Sequence, residues 1–350
     1  MMTRRPIVTT FYSYKGGVGR TQSLANVAVC LANKGHDVVV VDMDLESPGL
    51  HYYFSPPDEL ERQFRDRDLT HQDGLIDFLE ICAQRPSEEP QIGPLLMPCG
   101  HRFQHTGRLR ILGAGRLNDD YPRRVAEFSW ERFYEQENGY PFMELMRAQL
   151  LDSGADFVLV DSRTGMTDVG SVCTFQLPEV VVILFALHMQ GIEGASRVKA
   201  AIEQQQQVTP YASSRLERVL LMPARVDEWG ATTLLDQWIK RVRELLGDES
   251  SLVELLLDID DRIPYLSQVA FGEQIIMDPS AERNDLSRAY QRLTDRIESI
   301  AVSADTDEPV KIPDASLHLQ ALAGGTSTLH TPRRSSRGTG LVWQGPASRQ

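Results

Sequence analysis

Pro6-Ile7-Val8-Thr9-Thr10-Phe11-Tyr12-Ser13-Tyr14-Lys15-Gly16-Gly17-Val18-Gly19-Arg20-Thr21 is the stretch on which the fold turns. Pro6 to Tyr12 is β-branched and aromatic and reads as a buried strand. From Thr21 to Lys34, Leu24, Val27, Ala28 and Leu31 share one helical face, and Gly35 stands where helices stop. Between strand and helix lie Gly16, Gly17 and Gly19. Glycines let a backbone approach a ligand closely and turn successive N–H groups inward. A helix that starts directly afterwards adds free N–H groups and the positive end of its dipole. The order strand, glycine turn, helix therefore predicts a phosphate cradle. Thr21 stands where a hydroxyl can reach Mg²⁺.

Two later strands end in aspartate. Val38 to Val41 runs into Asp42, with Asp44 two residues on, and Phe157 to Val160 runs into Asp161. In a parallel sheet these ends lie side by side next to the glycine turn. Asp42, Asp44 and Asp161 are then placed to meet a metal or an attacking water. The plainer alternative is that each caps the element that follows it.

The phosphate-binding pattern GxxxxGK[ST] is met imperfectly: Tyr14 replaces its first Gly and Arg20 its Lys. The form KGGxGK[ST] fails only at Arg20, and on these residues the chain resembles the ParA/MinD-type ATPases, the deviant Walker A branch of P-loop proteins. It is most similar to a KGGVGR[ST] subgroup in which the Arg is normal. The resemblance implies ATP and Mg²⁺ as cofactors. Lys15, Gly16, Gly17, Val18, Gly19, Arg20 and Thr21 would hold the phosphates, and Thr21, Asp42 and Asp161 would serve the metal. Asp44 would orient or activate the attacking water. Gly165, in Ser162-Arg163-Thr164-Gly165, would donate its N–H to the γ-phosphate. Lys15 would reach across an ATP-dependent homodimer to the partner's phosphates. Arg225 and Asp227, and more distantly Pro264, resemble the base-side loops, although the family often has Asn where Asp227 stands. Only five lysines occur in the chain, so Arg20 also has a bland explanation as Arg-for-Lys preference. The exchange still alters the chemistry, since Arg is planar and bidentate where Lys is a compact point charge.

The rest of the chain predicts an α/β fold: a mostly parallel, doubly wound sheet with helices on both faces. Helices are expected over 74–82, from 186 to about 207, over 233–246 and over 284–300, the last N-capped by Asn284. A broken helix is expected over 128–151, interrupted at Gly139-Tyr140-Pro141. Further strands are expected at 109–112, 180–185 and 216–222. Residues 1–302 form the nucleotide-binding unit, with 51–150 irregular and insertion-rich, and 303–350 read as a disordered tail.

With 36 Lys and Arg against 49 Asp and Glu, the net charge is −13, which does not favour DNA binding. Four scattered cysteines suit a reducing cytoplasm. No apolar run approaches the ~20 residues of a transmembrane helix. Cys99, His101 and His105 lack a completing ligand for zinc. The function expected is an Mg²⁺-dependent ATPase switch acting on an unidentified protein partner, with bacterial signalling or defence as the setting the resemblance suggests. A nucleotide-gated binding module with little hydrolysis is the alternative. A bacterial tyrosine kinase ranks below both, because residues 303–350 contain no Tyr.

Overall fold

The structure, a computed structural model, describes residues 5–54, 69–85, 89–99, 107–165, 170, 172–208, 216–227, 237, 240, 262–267, 269, 273–277 and 284–303, and the short segments 333–334 and 341–342. The helix expected over 233–246 lies outside the described residues apart from two positions. Most of 303–350 lies outside them too; Arg333–Arg334 and Leu341–Val342 pair antiparallel.

The sheet contains β1 (Ile7–Ser13), β2 (Asp37–Asp42), β3 (Met97–Pro98), β4 (Arg108–Leu112), β5 (Phe157–Asp161), β6 (Val180–Phe185), β7 (Arg218–Val226) and β8 (Ile263–Pro264). Their order is β3-β4-β2-β5-β1-β6-β7-β8, and every pairing is parallel except the β3–β4 edge. The helices are α1 (Arg20–Asn33), α2 (Leu50–Phe54), α3 (Leu75–Gln84), α4 (Tyr121–Glu127), α5 (Trp130–Gln136), α6 (Gly139–Asp152), α7 (Met189–Val208) and α8 (Asp285–Ser303).

Burial on both faces explains the unbroken apolar strands. Val38 and Val40 pack with α1 and α8, while Val39 and Val41 pack with α3 and α6. Phe157 and Leu159 join the first cluster, Val158 and Val160 the second. On β6, Val181, Ile183 and Phe185 meet Ile192, Ala195 and Val198 of α7. Arg147 of α6 is seated by a buried ion pair with Glu179, whose Oε2 accepts the Val8 N–H at 2.7 Å.

The expected break in the 128–151 helix falls at Asn138, which is left-handed at φ 57°. Pro141 then sits in the first turn of α6, where its missing N–H costs nothing. Asn284 caps α8 as expected, its Oδ1 accepting the Ser287 N–H at 2.8 Å. The described parts of the 51–150 segment hold β4, α3, α4, α5 and most of α6. Periodicity missed α2, α4, β3 and β8, which are seven residues or shorter. β7 also runs past the expected 222, because β8 pairs with Ala224 and Val226. No described helix is long and apolar enough to cross a membrane.

Candidate functional site: a glycine loop beside three carboxylates

The loop after β1 turns at Gly17 (φ 75°) and Gly19 (φ 84°), conformations that residues with a Cβ adopt only with strain. Gly19 stands at the N-cap of α1 with no side-chain cap, and the first turn of α1 holds no acidic residue. The N–H groups opening that helix are thus left for an anion. Val18 is buried and anchors the loop, whereas Lys15, Gly16 and Gly17 are exposed. Tyr14, at the expected Gly position, packs against Gly194 of α7 so closely that a Cβ added there would fall 2.2 Å from Tyr14 Cδ1. The Lys15 ammonium lies 5.9 Å from the Tyr14 ring centre.

Sheet register brings the aspartates together. Asp42 is directly opposite Asp161 across β2 and β5, and Phe11 of β1 is opposite Asp161 on the other side. Asp42, Asp44 and Asp161 are all buried. Thr21 Oγ1 donates to Asp161 Oδ2 at 2.7 Å. These are hard oxygen donors, the kind Mg²⁺ takes alongside phosphate oxygens and water. They fit that ion, with Thr21 and Asp161 best placed to hold it. Among the described residues no group of three or more His, Cys, Asp or Glu is arranged to hold a metal ion. Cys99 belongs to the described part, but His101 and His105 do not.

Three of the expected residues behave differently from expectation. Arg20, expected on phosphate oxygens, turns to the carboxylates: its Nε donates to Asp161 Oδ1 at 2.6 Å and its Nη2 to Asp44 Oδ2 at 2.8 Å. Buried carboxylates this close need a counter-charge, and a fork-shaped guanidinium can bridge two of them. Asp42, expected on the metal, follows the plainer alternative. Its Oδ2 accepts the N–H groups of Gly49 (3.1 Å) and Leu50 (3.2 Å) at the start of α2, and its Oδ1 that of Asp44 (3.3 Å). Gly165 donates its N–H to the Ser13 carbonyl at 3.2 Å, so a phosphate would have to displace a backbone bond to use it.

Of the residues matched to the base-side loops, Arg225 reaches the glycine loop. Val226 pairs with Pro264, and Arg225, itself left-handed at φ 57°, donates from Nη1 to the Gly17 carbonyl at 2.6 Å. Its guanidinium carbon lies 4.8 Å from the Tyr265 ring centre. Asp227 follows at the exposed end of β7. Sequence reasoning missed Glu46, which pairs with Arg163 and so ties the segment after β2 to the segment after β5. An exposed Arg–Glu pair between distant segments leaves no sequence signal.

The family model of the CobQ/CobB/MinD/ParA nucleotide binding domain matches residues 9–270, from β1 through the base-side strands. The chain belongs to this family. It is similar to the septum site-determining protein MinD of Buchnera aphidicola subsp. Schizaphis graminum, at 22% identity over 284 residues, 80% of this chain and 86% of that protein. Its fold is similar to that of the cell division ATPase MinD of Pyrococcus furiosus (16% identity, TM-score 0.54, covering 84% of this chain and 99% of the other). It is similar also to that of cobyrinic acid a,c-diamide synthase from Mycobacterium smegmatis, solved with bound ADP and magnesium (16% identity, TM-score 0.54, covering 85% and 96%).

The carboxylates make stability depend on pH. Burial, followed by the charge of Asp161, pushes the Asp42 carboxyl up to about 8. Burial also raises Asp161, against the opposing pull of Arg20. In the unfolded chain an Asp ionises near ~3.9. Between those values the folded form keeps protons that the unfolded form has released, so stability is full below the unfolded value and falls as pH rises. Urea midpoints taken in chelator are expected to drop from pH 5 to pH 8. Asp42→Asn is expected to flatten that slope; an unchanged slope would place the raised group elsewhere.

Proposed function

We propose that this protein is an Mg²⁺-dependent ATPase switch. The observation that carries the proposal is the uncapped, glycine-built N-terminus of α1 set beside Thr21, Asp161 and Asp44. Loop N–H groups and Lys15 would bind the phosphates, and Arg225, Asp227 and Pro264 would face the base. Mg²⁺, when bound through Thr21 and Asp161, would neutralise charge building on the phosphates. The carboxylate of Asp44 would take a proton from the attacking water. Exposed Lys15 is available to a second copy of the chain, which supports a homodimer formed around ATP and read by a protein partner. Four free cysteines suit a cytoplasmic setting.

A second reading, a nucleotide-gated binding module with little hydrolysis, is favoured by the Arg20–Asp44 pair, because a carboxylate held by a guanidinium is a poor base. Phosphate release from the purified chain separates the two. Mg²⁺-dependent release is expected, abolished by chelator. Asp161→Asn is expected to weaken metal affinity about 10–100-fold, so that its activity fails at limiting Mg²⁺ and recovers in excess. ATP binding with no release from the unaltered protein would leave the module reading.

A further inference from the structure

The sequence explains Arg20 as residue preference or as a phosphate ligand, and its position matches neither. The residue is 7% exposed, and two of its three side-chain nitrogens are spent on Asp161 and Asp44. Asp161 is thereby engaged at both oxygens, Oδ1 by Arg20 and Oδ2 by Thr21. The third nitrogen, Nη1, is buried and finds no acceptor among the described residues. A buried donor left without an acceptor is costly, so this arrangement is held by the two carboxylates against a penalty.

We propose that Arg20 is a positioning residue: a built-in counter-cation that occupies the oxygens of Asp161 and Asp44, so that a divalent metal gains Asp161 only when the guanidinium withdraws. Its purpose rests on the ATPase reading, but its test does not. The geometry suits an Arg, since the two acceptors sit apart, Asp161 at the end of β5 and Asp44 in the segment after β2, and a planar fork reaches both at 2.6 and 2.8 Å. A lysine ammonium is a single point charge on a shorter stem. The consequence for the reaction is a coupling. While Arg20 holds Asp44, that carboxylate is paired and does not accept a proton from water. Arrival of the metal exchanges one cation for another at Asp161 and releases Asp44 in the same movement.

Binding of Mn²⁺ alone to the full chain, followed by electron paramagnetic resonance, tests the competition without nucleotide or turnover. Arg20→Gln is expected to bind Mn²⁺ at least tenfold more tightly than the unaltered protein, with Arg20→Lys between them. A folded Arg20→Gln that binds Mn²⁺ no more tightly would overturn the proposal. Loss of folding in the variants is covered by the unaltered protein labelled with ¹⁵N-arginine. Its Arg20 Nε–H is expected to be protected from solvent exchange, and to lose that protection as Mg²⁺ is titrated in. Protection that persists throughout the titration would overturn the proposal as well. Failure of ATP hydrolysis, by contrast, would leave both measurements unaffected and count only against the ATPase reading.

Discussion

Asp44→Ala is expected to cut phosphate release about 10²–10⁴-fold, the usual cost of removing a general base, while ATP binding survives. Asp44 is buried beside the loop, within hydrogen-bond reach of Arg20, and takes no part in the glycine turn. Removing it takes one partner from Arg20 at the start of α1 but leaves the glycine turn and the Thr21–Asp161 bond in place, so phosphate affinity is expected to hold. Arg20 keeps its bond to Asp161. The measurement is single-turnover phosphate release beside nucleotide affinity in the same preparation. A variant that loses binding and turnover together would show that Asp44 shapes the pocket rather than serving the water. Full activity in the variant would remove Asp44 from the reaction.

Arg20→Met is expected to lower the free energy of unfolding by about 3–5 kcal/mol, the cost of breaking a buried ion pair by removing one partner. Methionine fills much of the volume, so the loss is electrostatic rather than a cavity. Asp44 and Asp161 would then share a buried pocket with Asp42 and no cation. Ionised carboxylates suffer most from that change, so the loss should be larger at pH 8 than at pH 5. Adding Asp161→Asn should return part of the stability, because it removes one of the charges left unpaired. Urea midpoints of the unaltered protein, Arg20→Met, Asp161→Asn and the double variant measure this. A loss below about 1 kcal/mol, the range of exposed pairs, would mean that water reaches the pair and that the bridge is weak.

Local order was legible wherever one segment carried its own signal. Val38 to Val41 and Val180 to Phe185 read as strands buried on both faces, and the glycine turn between Tyr12 and Thr21 as a close backbone approach. Asn284 and Gly35 marked helix limits by the chemistry of their own positions. The elements that escaped were short, and short segments have no period to read. β8 has two residues and exists because Ala224 and Val226 offer it an edge.

The sequence by itself therefore determined the α/β architecture, the phosphate loop and the identity of the three carboxylates, because each is written in contiguous residues whose spacing fixes local geometry. The tertiary structure alone decided how those groups are spent. Only the packing of β2 beside β5 sets Asp42 opposite Asp161. Only the fold of the 43–50 segment hands Asp42 to the α2 N–H groups, and only burial forces Arg20 onto Asp161 and Asp44. A charge's partner is chosen by what else is desolvated around it, and that depends on residues far away in the chain.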